Sequence, residues 1–354
     1  MSKYLKLSIG LLFVFFTIIF IMPNKAYAAI GLIDKMSGDV QYRQKDNIQY
    51  KQAIKGTVLD ISYWIKTGAT GWAVLLFNDG SKMTLANNTE FKVSSFVISK
   101  SKKEAEFNLF SGKLRAMVTK MPGGKVDYKV KSPTAVAGIR GTEFMMMTQG
   151  QANVFFGNEG TVSVSGGKTP TNKNLTPETM VQNTRSSTPT DAVKLEPKSP
   201  LLVAKKDFES ITGNDPPDDW EKSKNLPNIV ARWNINYGHY LADSGKYEEA
   251  LNVYQIALDL TTIPEIRGDA RLERGTVYSR FLNNTEAALS EYLIVVEEYP
   301  TIPQREAALY HTAMLLYDLG LTDRAKLRLH QYNDEYPAGK YRGNVDTFIN
   351  QLER

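Results

Sequence analysis

The chain holds three histidines, His239, His311 and His330, and no cysteine. A zinc hydrolase needs two imidazoles one helical turn apart with a glutamate between them, so that both rings reach the metal and the carboxylate reaches its water. No histidine here has such a partner, so each reads as a packing or surface residue. Without thiols there are no disulfides, no thiolate metal sites and no thiol nucleophile. The carboxylate pairs Asp218-Asp219 and Glu297-Glu298 are adjacent in sequence; on a helix they diverge and in a loop they stay solvated, whereas general acid-base work needs two groups facing one substrate. Ser165-Gly-Gly-Lys-Thr169 ends like a phosphate loop but has no glycine five residues before Gly167, and it reads as a turn. The expectation is a protein that is not an enzyme, with no catalytic residues, no metal and no cofactor. A hydrolase whose acids lie far apart in sequence is the alternative.

The chemistry that remains is recognition. Arg140 sits in Gly138-Ile-Arg-Gly-Thr142, where Gly138 and Gly141 permit tight bends and the chain then enters an apolar strand containing Phe144. A guanidinium on such a turn can present a donor fork to a carboxylate or phosphate, or bond to strand-end carbonyls and fix the fold. The structural role is expected for Gly138, Arg140, Gly141, Thr142 and Phe144. With Ile65-Lys-Thr-Gly68, Ala73 to Ser81, Leu85 to Thr89 and Asn158 to Val164 in the same order, the stretch from Gly38 to Val164 resembles the FecR-domain family of bacterial envelope proteins. One departure is Ser62-Tyr63, where the family usually carries a Gly-Asp pair. The resemblance implies an all-β domain. It also implies a link to sigma-factor control, which requires a membrane anchor and a cytoplasmic segment that the mature chain is not expected to have.

Address comes from the first residues. Lys3 and Lys6 precede the apolar run Leu7 to Met22, and Ala26-Tyr-Ala28 offers the small residues a signal peptidase reads. Residues 1–28 are therefore expected to be a signal peptide cleaved between Ala28 and Ala29, leaving no stable membrane anchor and a periplasmic or envelope-associated protein. From Ala29 to Pro200 the chain has 23 Lys plus Arg against 14 Asp plus Glu; from Leu201 to Arg354 it has 17 against 24. The basic half could meet an anionic envelope polymer or glycan, although 19 of its cations are Lys, as on a solvated sheet exterior. Nucleic acid is not an expected partner.

The elements divide at the same place as the charge. From Ile30 to Val181 short alternating runs are separated by turn residues; Val126, Tyr128 and Val130 alternate with Asp127, Lys129 and Lys131. Hairpins are expected at Asn78-Asp-Gly-Ser81 and at Ser111-Gly112. Met145, Met146 and Met147 should split between the two faces of one strand. Residues 29–200 are read as the β domain, with an irregular extension from Gly166, and 201–226, with Pro216-Pro217, as a linker between modules that fold separately. Beyond it, Gly245, Ala250 and Tyr254, then Ala288 and Tyr292, then Ala325, Leu329 and Tyr332 recur at helical spacing. They resemble tetratricopeptide repeats over 227–354. The fold class is thus multidomain, an all-β FecR-like sandwich or rolled sheet followed by an all-α tetratricopeptide helical array.

Stacked helix pairs form a concave groove. With Gly238, Thr276 and Ala313 placed on the packing seam, the groove is expected to present Arg232, His239 and Asp243, then Glu273 and Arg280, then Tyr310, Met314 and Tyr317. Mixed charge with exposed rings suits an envelope protein or peptide as ligand. The function read from the sequence is an exported, non-enzymatic interaction scaffold or sensor, or alternatively a polymer-binding module acting through the basic half.

Overall fold

The computed structural model describes residues 29–353 except 168–170, 186 and 219–220. Residues 1–28, with the expected signal peptide and Ala28, lie outside the described residues; Ala29 is the first of them. No helix among the described residues is long and apolar enough to cross a membrane.

The β region begins with β1 (Gly31–Ser37), β2 (Val40–Arg43), β3 (Lys51–Gln52), β4 (Val58–Leu59), β5 (Trp64–Thr67) and β6 (Trp72–Phe77). It continues through β7 (Lys82–Leu85), β8 (Glu90–Ile98), β9 (Lys102–Met117), β10 (Lys125–Lys131), β11 (Ala135–Ile139) and β12 (Glu143–Gln149). It closes with β13 (Ala152–Glu159), β14 (Val162–Gly166), β15 (Lys173–Leu175), β16 (Thr179–Thr184) and β17 (Val193–Lys194).

Pairing registers resolve these strands into two sheets that share β9. One runs β4-β1-β6-β7-β9-β12-β13-β16-β17 and the other β3-β2-β5-β8-β9-β10-β11-β14-β15. The first half of β9 pairs with β8 and β10, the second half with β7 and β12.

The expected hairpin at Ser111-Gly112 is therefore a bend within one strand. Gly112 has φ +98°, and a Cβ there would lie 2.4 Å from Thr89 Cα, so only glycine lets the chain cross between layers at that point. The other hairpin forms as read, β6 against β7. Its turn residue Asp79 is buried and accepts from Ser81 Oγ at 2.7 Å, Tyr128 Oη at 2.8 Å and Lys103 Nζ at 3.2 Å. These bonds hold its carboxyl below the usual range against the opposing effect of burial.

Apolar residues from both sheets, among them Ile33, Leu75, Phe91, Phe107, Phe144, Met146 and Phe155, fill the sandwich core. Met145, Met147, Val154, Phe156 and Met180 face the opposite way and join a second core built with helices. Strands β12, β13 and β16 are thus covered on both sides, which is why Phe144 to Met147 and Val154 to Phe156 read as continuous apolar runs.

The irregular extension expected after Gly166 in fact supplies β15, β16 and β17. Strand β16 is polar but buried, because its amides are bonded: Asn153 Nδ2 donates to Asn183 Oδ1 at 3.0 Å, and Asn183 Nδ2 to Thr134 O at 2.9 Å.

Eight helices follow among the described residues: α1 (Pro200–Ile211), α2 (Glu221–Asp243), α3 (Tyr247–Leu260), α4 (Pro264–Arg280), α5 (Thr285–Glu298), α6 (Gln304–Asp318), α7 (Thr322–Glu335) and α8 (Arg342–Leu352). The expected linker 201–226 is largely helical. Ser199 caps α1 by accepting from Leu202 N, Pro200 occupies the first turn, and Leu201, Ala204, Phe208 and Ile211 form a buried stripe. The two modules also pack against each other. Besides the shared apolar core, Thr184 Oγ1 and Arg185 Nε donate to Asp259 at 2.6 and 2.9 Å, and Lys205 pairs with Glu178 at 2.8 Å and Glu209 at 3.0 Å.

Helices α2/α3, α4/α5 and α6/α7 form three antiparallel pairs, with α8 packed on the last. In the first two pairs a glycine meets a tyrosine: a Cβ on Gly238 would lie 2.4 Å from Tyr254, and one on Gly275 would lie 2.4 Å from Tyr292. The third pair carries Thr312 and Leu329 at the corresponding positions, a larger residue opposite a smaller one. The seam therefore runs through Gly238, Gly275 and Thr312, one residue before the expected Thr276 and Ala313.

Candidate functional site

The first helices of the pairs lie side by side, α2 on α4 and α4 on α6, while α3 and α5 each pack against the first helix of the next pair. His239 on α2 and Glu273 on α4 meet across the face of the first helices at 3.1 Å. Burial holds the Glu273 carboxyl above its ordinary range, with Asp269 and Asp243 adding in the same direction and His239 and Arg280 opposing it. Arg280, the last residue of α4, is exposed and forms no hydrogen bond or ion pair among the described residues. Burial lowers the His311 pKa, and the Arg280 charge lowers it further, which places Arg280 within electrostatic reach of both His311 and Glu273.

Beyond Arg280 the face turns aromatic. Tyr310 stacks on Tyr341 with centroids 4.3 Å apart and meets His311 edge-on at 5.3 Å. Tyr317, exposed at the end of α6, takes Phe348 of α8 edge-on at 4.9 Å. Met314 is half-buried between these rings in sequence and packs against the same cluster. The structure brings together His239, Glu273, Asp243 and Arg280 at one end and Tyr310, Met314 and Tyr317 at the other. Arg232 is exposed on α2 and makes no contact with the rest. Sequence reasoning missed Asp269, which accepts from Gln304 Nε2 at 2.6 Å, and His311, Tyr341 and Phe348, which complete the aromatic end. The last two belong to α8 and the residue before it, a helix that joins the face by packing on the third pair.

The residues of the β-domain motif have separate fates. Gly138 lies in β11, paired with Lys129 and Ser163; Phe144 is in the sandwich core; Gly141 takes φ +71°. Thr142 is buried and its Oγ1 has no hydrogen-bond partner. Arg140 departs from expectation. It is exposed between β11 and β12 and bonds to no strand-end carbonyl among the described residues.

The sequence profile of the FecR protein family matches residues 64–163, and a tetratricopeptide repeat profile matches residues 307–338. The chain thus carries a FecR domain followed by a tetratricopeptide repeat region. No curated protein sequence matches it. Among solved structures, a protein described as an anti-sigma factor from Parabacteroides distasonis is similar over 41% of this chain and 64% of its own, at 14% identity and a TM-score of 0.32. The match therefore spans less than two thirds of that relative. The second tetratricopeptide domain of human RPAP3, solved with the HSP70 peptide SGPTIEEVD, is similar over 36% of this chain and 98% of its own, at 16% identity and a TM-score of 0.31. The first such domain of Spaghetti, solved with the HSP90 peptide SRMEEVD, is similar over 35% and 93%, at 17% identity and a TM-score of 0.30.

Proposed function

We propose that this protein is an exported, non-enzymatic scaffold or sensor of the bacterial cell envelope whose helical groove takes a protein or peptide partner. The observation that supports the reading is the position of Arg280, an exposed guanidinium within electrostatic reach of Glu273, which pairs with His239, and of His311, which meets Tyr310 edge-on. A charged donor fork beside rigid amphipathic rings is the composition that concentrates binding energy in protein interfaces. The groove stands on helices locked to the β domain, so little chain entropy is lost when a partner docks.

A photo-crosslinking side chain at Met314, in intact cells, tests this. Capture of one dominant partner should weaken by about 1–3 kcal/mol in affinity with Arg280→Glu or Tyr317→Ala. Lys129→Glu and Lys131→Glu on the outer face of β10 should leave it unchanged. Capture abolished by the β10 changes and indifferent to the groove changes would overturn the reading. Export is tested separately: the intact mass of the mature protein should correspond to a chain beginning at Ala29.

A further inference from the structure

Two surface recesses adjoin at the loop between β11 and β12. One, of about 800 Å³, is bounded by the loop from Lys120 to Lys125; the other, of about 610 Å³, reaches along β11 and β14 to Ser163 and Asn174. Arg140, Lys120 and Asp127 line both, so Arg140 stands on the divide. Its guanidinium makes no hydrogen bond, ion pair or ring contact among the described residues.

The walls carry three cations, Lys120, Lys125 and Arg140, against the single carboxylate of Asp127. Asp127 is itself paired with Lys129 at 3.4 Å, and Lys120 with the exposed Glu159 at 2.7 Å. Glycine geometry builds the divide. At Gly141, φ +71°, a Cβ would lie 2.6 Å from Lys120 Cγ, so the Lys120 stem lies against the turn that presents Arg140. At Gly160, φ +73°, a Cβ would lie 2.6 Å from Thr142 Cγ2. Thr142, which lines the second recess, is 5% exposed, and its hydroxyl has no partner. An exposed guanidinium without a partner among the described residues, standing where two recesses meet, is free to take an anionic ligand.

We propose that this double recess binds a phosphodiester with polyol or sugar on both sides, the phosphate on Arg140 and one substituent in each recess. Three features select that group over other anions. A planar guanidinium matches two phosphate oxygens at once. Space on both sides of the cation suits a group substituted twice, whereas a carboxylate or a terminal phosphate would fill one side only. The Asp127 carboxylate in the shared wall favours a diester, with one negative charge, over a monoester carrying about −1.5 to −2. Thr161, Ser163 and Asn174 supply the polar lining that a polyol needs. The site lies on the β domain and is independent of the helical groove.

Ligand-observed NMR titration of the full mature protein with glycerophosphoglycerol tests the proposal, with inorganic phosphate and glycerol as comparison ligands. Saturable binding of the diester, at least tenfold tighter than of inorganic phosphate, is expected. Arg140→Ala should weaken it tenfold or more, Arg140→Lys should recover part of the loss, and Lys51→Ala, outside both recesses, should change nothing. Vesicles of phosphatidylglycerol against phosphatidylcholine separate the two sources of such a group. Arg140-dependent sedimentation with the anionic vesicles makes the ligand a lipid headgroup; binding of the soluble diester without sedimentation makes it a polymer. No saturable binding of either, equal binding by the wild-type and Arg140→Ala proteins, or inorganic phosphate binding as tightly as the diester would each overturn it. Because Arg140 is exposed, an unchanged circular dichroism spectrum for the variants is the control on folding.

Discussion

The side-chain amides of Gln182 and Asn234 exchange two hydrogen bonds across the seam between sheet and helices. Gln182 Nε2 donates to Asn234 Oδ1 at 2.6 Å and Asn234 Nδ2 donates to Gln182 Oε1 at 3.0 Å, with both residues fully buried. Gln182 lies in β16 and Asn234 in α2, so the pair ties the two modules in one register. Apart from this pair and the bonds to Asp259 and Glu178, the seam is apolar and less particular about position: Met145, Met147, Phe156 and Met180 on the sheet, Leu201, Phe208 and Val230 on the helices.

Removing one partner of that pair leaves a buried amide with no replacement from solvent, which costs the desolvation of the orphaned group. Gln182→Leu or Asn234→Leu alone should destabilise the protein by about 1–3 kcal/mol in chemical denaturation. The double variant should lose less than the sum of the two, since neither amide is then stranded. Additive losses would show that the two amides act independently.

The shared core also decides how the protein comes apart. Asn214, Asp215 and Asp218 are exposed between α1 and α2, and Lys35 reaches this segment from the sheet, its Nζ donating to Asn214 O at 3.0 Å. Limited proteolysis should therefore cut first near Asp215, leaving α1 protected, and the two fragments should remain associated on gel filtration. Thermal unfolding should be a single transition, because sheet and helices share one apolar cluster. Early cleavage within Leu201 to Phe208, or two transitions, would contradict the shared core.

The main division of the chain was legible because the period changes from two to helical near residue 200, and burial on one face or stripe follows that period. Three features escaped for physical reasons. Helix α1 was hidden by Pro216-Pro217 and the surrounding acids, although Leu201, Ala204, Phe208 and Ile211 already stand at spacings of three and four. Ser111-Gly112 has the composition of a two-residue turn, and sequence does not distinguish a turn from a strand changing sheets. The seam was misplaced by one because Gly238 lies twelve residues before Ala250, whereas Gly275 and Thr312 lie thirteen before Ala288 and Ala325. In the second pair the added residue falls in the loop, 281–284 against 244–246, and in the third it falls in the last turn of α6. The groove residues were found in part, since charge and ring positions follow the helical period; the contribution of α8 depends on tertiary stacking that no local pattern records.

Glycine and tyrosine are matched at the seam, and the match can be exchanged. Gly275→Ala places a methyl 2.4 Å from the Tyr292 ring, which is 2% exposed and has no room to withdraw. Overpacking of this kind should cost about 1–3 kcal/mol. Adding Tyr292→Leu should recover part of it, reproducing the Thr312 and Leu329 combination of the third pair. The measurement is the denaturation midpoint of the single and double variants, and a double variant less stable than both singles would refute size matching as the rule of the seam.

Lys113 gives the stability a pH dependence of definite sign. Its side chain is buried in β9, on the same face as its register partner Met147, and among the described residues its Nζ reaches only Asn87 Oδ1, at 3.3 Å. Burial pushes the ammonium from its ordinary 10.5 down to about 8. Below pH 8 both folded and unfolded chains hold the proton, so the folded state carries the full penalty of a buried charge, on the order of 3 kcal/mol. Between pH 8 and 10.5 the folded chain has released a proton that the unfolded chain still binds, so this group makes stability rise with pH and then level off. Lys113→Met keeps the stem, removes the charge and should raise the denaturation midpoint at pH 7 while flattening the rise between pH 8 and 10. A wild-type protein whose stability falls through that window by the same amount as Lys113→Met would show that the amine finds solvent or a counter-charge in the folded state.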